Sequence, residues 1–138
     1  KDEGIWIMNR DGSGEHQIVT DGEGPAWSLK EDKIAFIKIK KDSLCLVDTT
    51  GFLTDVFEIR TDFPDWGPPD SNSISTVLLS TGLGVIIDVE NGSIDTLQNI
   101  KSGAWLSWSP NGNQFIGHDE NGWYVINRDG SSKWYLKP

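Results

Sequence analysis

Apolar residues along this chain come in short runs, continuous or alternating, each closed by Gly, Asn, Asp or Ser. Nowhere do they recur at i, i+3, i+4 and i+7 over the length of a helix, so the pattern predicts many short strands joined by tight turns. Four runs share one shape, an apolar stretch ending in Asn or Asp and followed by a glycine turn. They are Ile5-Trp6-Ile7-Met8-Asn9, Leu44-Cys45-Leu46-Val47-Asp48, Gly84-Val85-Ile86-Ile87-Asp88 and Trp123-Tyr124-Val125-Ile126-Asn127. Their terminal polar residues, at 9, 48, 88 and 127, lie 39, 40 and 39 residues apart. A second marker, Trp27, Trp66 and Trp108, repeats at 39 and 42. Two independent markers with one period of about 40 residues establish an internal repeat.

Each period has room for four strands, here given positions A to D. Position A is expected at 25–29, 64–67 and 104–109, and B at 34–37, 75–79 and 114–117. Position C is the run ending in Asn or Asp, and D is expected at 16–19, 56–59, 94–97 and 133–136. Asp11-Gly12, Asn91-Gly92, Asn111-Gly112, Asn121-Gly122 and Asp129-Gly130 supply the positive-φ residues that tight hairpins need. Pro68-Pro69 cannot donate to a ladder and should end the middle A strand by Gly67. The repeats are placed at about 1–20 (half a unit), 21–60, 61–99 and 100–138.

A four-stranded unit of this size cannot bury both its faces alone, and stacking such units around an axis does so. The expected fold is therefore all-β, with β-propeller blades of four antiparallel strands. The C runs are apolar on both alternating faces, as strands sandwiched between neighbouring sheets should be, and most of the seven Trp are expected to fill the seams between blades. A barrel or two-sheet sandwich requires no 40-residue repeat and ranks below. The order is CD-ABCD-ABCD-ABCD, three and a half blades, whereas closed propellers use about 4–8. Three readings stay open: part of a larger propeller of about six to eight blades, closure by association with copies of itself, and an open arc. The open arc exposes apolar faces and strand edges and is the least favoured.

The segments Ile5 to Gly14, Pro25 to Phe36, Trp108-Ser109-Pro110-Asn111-Gly112 and Trp123 to Gly130 together resemble the TolB-type (PD40, WD40-like) β-propeller repeat. The turn that this family writes Trp-Ser-Pro-Asp-Gly stands once as Trp-Ser-Pro-Asn-Gly. It decays to Trp27-Ser28-Leu29-Lys30-Glu31 and Trp66-Gly67-Pro68-Pro69-Asp70 in the other copies. The resemblance spans essentially the whole chain and implies a fold more than a function, because such repeats serve partner-binding proteins, peptidase-associated domains and lyases. It leans towards a bacterial periplasmic or secreted setting.

Composition narrows the partners. The 138 residues carry 12 Lys and Arg against 21 Asp and Glu, a net charge of -9. That balance argues against nucleic acid and anionic membrane surfaces, which need Lys and Arg to meet phosphates. No apolar stretch is long enough to span a membrane. The single cysteine, Cys45, excludes an internal disulfide or a multi-Cys zinc site, and its apolar neighbours mark it as a buried hydrophobe. The chain begins Lys1-Asp2-Glu3 without Met, so the native N-terminus is expected to lie upstream.

No catalytic constellation is legible: no G-x-S-x-G elbow, no phosphate-binding glycine loop and no paired-His metal spacing. Asn9-Arg10-Asp11-Gly12-Ser13 superficially resembles a calcium loop. It recurs as Asn127-Arg128-Asp129-Gly130-Ser131, which marks the C–D hairpin. The D–A connectors carry Asp21 and Glu23, then Asp62 and Asp65. If these carboxylates converge at the axis they could hold a cation such as calcium or a basic peptide; otherwise they solvate turns. Asn99-Ile100-Lys101-Ser102-Gly103 breaks that acidic pattern, and Lys38, Lys40 and Lys41 are placed on the same face. His118-Asp119-Glu120 is expected in a loop after a B strand, and Trp105 at a loop edge is a candidate stacking surface. The favoured function is a non-catalytic module that presents loops to a protein or peptide. The alternatives are the propeller part of an enzyme, such as a prolyl-oligopeptidase-like peptidase or a polysaccharide lyase, and a carbohydrate-binding propeller.

Overall fold

A computed structural model describes residues 4–68, 72–100 and 105–137. Fourteen strands form four antiparallel sheets among them. The first sheet pairs β1 (Ile5–Ile7) with β2 (His16–Val19). The second runs in order β3 (Glu23–Trp27), β4 (Lys33–Lys38), β5 (Ser43–Asp48), β6 (Leu53–Phe57). The third holds β7 (Thr61–Trp66), β8 (Ser73–Leu78), β9 (Gly84–Asp88) and β10 (Ile94–Thr96). The fourth holds β11 (Leu106–Trp108), β12 (Gln114–Asp119), β13 (Gly122–Asn127) and β14 (Lys133–Tyr135). Each full sheet is a meander in which every strand pairs with the next in sequence. This is the half blade and three four-stranded blades that the repeat predicts.

Turn chemistry sets the hairpins. At the C–D turns Asp48 accepts from the backbone N–H of Thr50 and Phe52, and Asp88 from those of Glu90 and Asn91. Asp11 and Asp129 accept from the backbone N–H of Ser13 and Ser131 two residues on, and the serine hydroxyls first, with these N–H groups, hold both carboxyls below the usual range. The loop that resembled a calcium site is thus an Asx turn closed by its own backbone.

The core lies in three seams between successive sheets, and strand alternation assigns the residues to each. Ile34 and Phe36 on β4 with Cys45 and Val47 on β5 meet Ile5, Ile7 and Ile18 of the first sheet. The opposite faces of the same strands send Ala35, Ile37, Leu44 and Leu46 against Trp66, Ile74, Val85 and Ile87. Val77 and Ile86 on the far side of the third sheet meet Leu106, Phe115, Tyr124 and Ile126. Gly117 is needed in this last seam, because the Tyr124 ring lies across it and a Cβ there would come within 2.6 Å of the phenol.

Two expectations need correction. The A strands start earlier than expected, at Glu23 and Thr61. Register shifts between Glu23 and Ala26, and between Asp62 and Asp65, let pairing resume upstream of Pro25 and Pro64. An edge strand tolerates Pro at such a bulge. The tryptophans are not mostly core. Trp66 is buried at 7% exposure and Trp108 is half-buried, but Trp6, Trp27, Trp105, Trp123 and Trp134 are exposed. A seam needs two sheets, and several of these rings sit where only one is present.

Candidate functional site

The sheets converge at their A strands. Among the described residues, each close strand-to-strand contact between sheets involves β7 or β11, with β7 lying against β3, β4 and β11. The A strands therefore form the inner edge of the fan, and the candidate site is built where they begin.

Each A strand carries its tryptophan at the same place, so the position three residues earlier is equivalent: Gly24, Phe63 and Trp105. Gly24 has φ +58° and Phe63 has φ +49°, so the bulge demands a left-handed residue here. Glycine meets that demand without strain; phenylalanine does so at a cost of about 1–2 kcal/mol. The Phe63 ring is nevertheless 44% exposed and packs on Trp105, itself 59% exposed, with ring centroids 4.6 Å apart at 36°. A Cβ at Gly24 would sit 3.8 Å from the Pro64 ring, which puts the bulges of β3 and β7 side by side.

The carboxylates expected at this edge divide by role. Glu23 opens β3 and is exposed. Asp21 sits half-buried just before it and accepts from the Lys40 N–H (3.3 Å), so the D–A connector and the B–C turn (Ile39–Lys41) do lie at one end. Asp62 is half-buried beside Phe63. Burial pushes its carboxyl above the ordinary value, with the Phe63 N–H drawing it part of the way back. Asp62 has no ion-pair partner among the described residues. Asp65 is a tie between sheets: its Oδ2 accepts from Ser107 Oγ (2.9 Å) and from the Trp108 N–H (3.1 Å).

His118 and Asp119 do not join this group. Both lie in strand β12 rather than in a loop, because the hairpin to β13 is tight and pairs Asp119 with Gly122. The His118 ring meets the edge of Trp123 at 5.1 Å on the outward face of the fourth sheet. Asp119 faces the other way and accepts from Lys133 Nζ (2.6 Å) and Tyr135 Oη (2.9 Å) across to β14. The Lys133 bond holds its carboxyl below the ordinary range, against the opposing pull of burial. Lys101, Ser102, Gly103 and Ala104 lie outside the described residues, as do Pro69 and Asp70.

Sequence reasoning missed Phe63, which reads as one more apolar residue. Aligning the three tryptophans would have exposed it, since the equivalent residue in the second sheet is a glycine. Among the described residues no three His, Cys, Asp or Glu side chains are grouped to hold a metal ion. No helix among them is long and apolar enough to cross a membrane.

No family model matches the sequence, and no curated relative matches it. Solved structures do. TolB from Acinetobacter baumannii superposes with a TM-score of 0.77 at 20% identity, over 96% of this chain and 37% of that one. Dihydro-heme d1 dehydrogenase NirN, solved in complex with DHE, gives 0.62 at 19%, over 87% and 29%. PorZ, a surface component of the type-IX secretion system of Porphyromonas gingivalis, gives 0.57 at 11%, over 86% and 16%. The chain thus spans little more than a third of the TolB structure. At these identities the likeness shows the fold, that of a TolB-like propeller.

Proposed function

We propose that this chain is a non-catalytic binding module whose partner is a protein or peptide engaged at the inner edge of the sheets. The observation that supports this reading is the convergence of β3, β7 and β11, which sets Glu23, Asp62, Phe63 and Trp105 along one rim of a close-packed scaffold. Exposed aromatic rings are frequent anchors at protein interfaces, and the adjacent carboxylates set the charge that a partner must complement. By contrast Asp65, Asp119 and the Asx-turn aspartates are occupied structurally. The two outermost sheet faces associate with further sheets of the same kind, and the isolated chain meets that need by binding copies of itself.

Selecting displayed random peptides on the whole chain tests the reading. Selected peptides are expected to lose binding to Glu23→Lys and Asp62→Lys variants and to keep it with Ile94→Lys at the exposed strand β10. Peptides indifferent to the rim substitutions would sink the proposal.

A further inference from the structure

The geometry points to a specific subsite: we propose that Phe63 and Trp105 form a stacking surface for an arginine side chain of the partner, with Asp62 and Glu23 as its counter-charges. This rests on the peptide-binding reading above and names the residue type that the rim selects.

The first argument is backbone strain. The same bulge occurs in β3 and β7, and β3 fills its left-handed position with Gly24. Phe63 is a bulky residue at a position where glycine is the relaxed solution, and its ring is not spent on a buried seam. A strained, non-glycine left-handed residue whose ring stays 44% exposed fits a site where the backbone is held in place for binding. The second is the pairing. Trp105 comes from the next sheet, so two sheets each contribute one ring to one exposed surface. A surface built from two repeats at equivalent positions is a shared feature of the rim.

The third is charge. Asp62, next to Phe63, is half-buried, and no cation pairs with it among the described residues. Glu23 is exposed at the start of the adjacent strand, whose Gly24 lies beside Pro64. The molecule as a whole carries -9. Aromatic faces beside carboxylates suit a planar guanidinium, which stacks on a ring while hydrogen-bonding a carboxylate through its edge. An ammonium is a strongly hydrated point charge and gains less from the rings. A neutral sugar would use the rings but leave Asp62 without a counter-charge.

The test is titration of the intact chain with hexaarginine, hexalysine and cellohexaose. Binding is followed by calorimetry and by the indole N–H resonance of Trp105, assigned through Trp105→Phe. Hexaarginine is expected to bind several-fold more tightly than hexalysine, to shift the Trp105 resonance, and to weaken with salt. Phe63→Gly should reduce hexaarginine affinity about three- to thirty-fold, the range for loss of a cation–π contact. Because glycine relaxes the bulge, it should leave the thermal midpoint within a few degrees. Phe63→Asn, which also accepts the left-handed region, repeats the measurement if the glycine variant folds poorly.

Equal binding of hexaarginine and hexalysine, unchanged by either substitution, would reduce the effect to net charge and overturn the proposal. So would a Trp105 shift with cellohexaose and none with hexaarginine. If the selected peptides bind the rim without arginine and ignore Phe63→Gly, the subsite is wrong while the peptide-binding reading stands. If they bind away from the rim, both fall.

Discussion

Asp65 shows how one residue changes meaning between sequence and structure. As one acidic residue in a connector it could hold a ligand; in place, its carboxylate satisfies a hydroxyl and a backbone N–H of the neighbouring sheet. Asp65→Ala should cost about 1.5–3 kcal/mol in urea unfolding, the usual loss for hydrogen bonds to a charged acceptor. Asp119 ties β12 to β14 in the same manner. Its carboxyl sits below the ordinary range in the folded chain, so the tie is at full strength above that range and is lost as pH falls through the folded value. The gap in stability between the parent and Asp119→Asn should be about 1–2 kcal/mol at neutral pH and should close in acid. Asp62 has the opposite sign. Its raised carboxyl means that ionisation disfavours the folded state, so Asp62→Asn should raise the melting temperature at neutral pH and change nothing well below the carboxylate range. Cys45 is fully buried in the first seam, and burial pushes its thiol up. A thiol reagent should label it only as fast as the chain unfolds, and rapid labelling of the native protein would contradict the packing described here.

At the scale of the strand and the sheet, the repeated tryptophan is the informative element. Trp66 donates its indole N–H to the Ala26 carbonyl of the preceding sheet (3.0 Å) and closes the middle seam. Trp27 holds the equivalent place in the second sheet, but the preceding sheet has only two strands, and Trp27 is 51% exposed. Trp66→Phe should therefore cost about 1–2 kcal/mol in unfolding free energy, and Trp27→Phe close to nothing. Comparable losses would mean that Trp27 is covered in solution. The strands themselves were legible in the sequence because turn chemistry and alternation are local signals: Asp48 and Asp88 mark their hairpins as clearly in the sequence as in the fold. The bulges at 24–25 and 63–64 were not, since a register shift leaves the apolar pattern unchanged. The exposed tryptophans were misjudged for a related reason. Alternation tells which face of a strand a residue is on, not whether a second sheet covers that face. The candidate site was half legible: Glu23, Asp62 and Trp105 were singled out, whereas Phe63 was hidden by its ordinary apolar character.

At the scale of the molecule, the seams have the same chemistry throughout and stop abruptly at both ends. Trp6 and Met8 face outward from the first sheet, and Ile116, Trp123 and Trp134 face outward from the fourth. Apolar groups of this size in a row on one sheet face mark an association surface. Sedimentation of the chain should show species heavier than the 15.3 kDa monomer, and Trp123→Glu should shift them towards that mass. A monomer before and after the substitution would show that this face needs no cover. The meander topology has a consequence for how the chain is made. Each full sheet is assembled from one contiguous stretch, 23–57, 61–96 and 106–135, and closes before the next begins. During synthesis from the N-terminus, every finished sheet can dock on the one already standing, and no strand waits for a distant partner. Synthesis would then build the structure by accretion, one layer per roughly forty codons, each new layer docking on the face its predecessor left open.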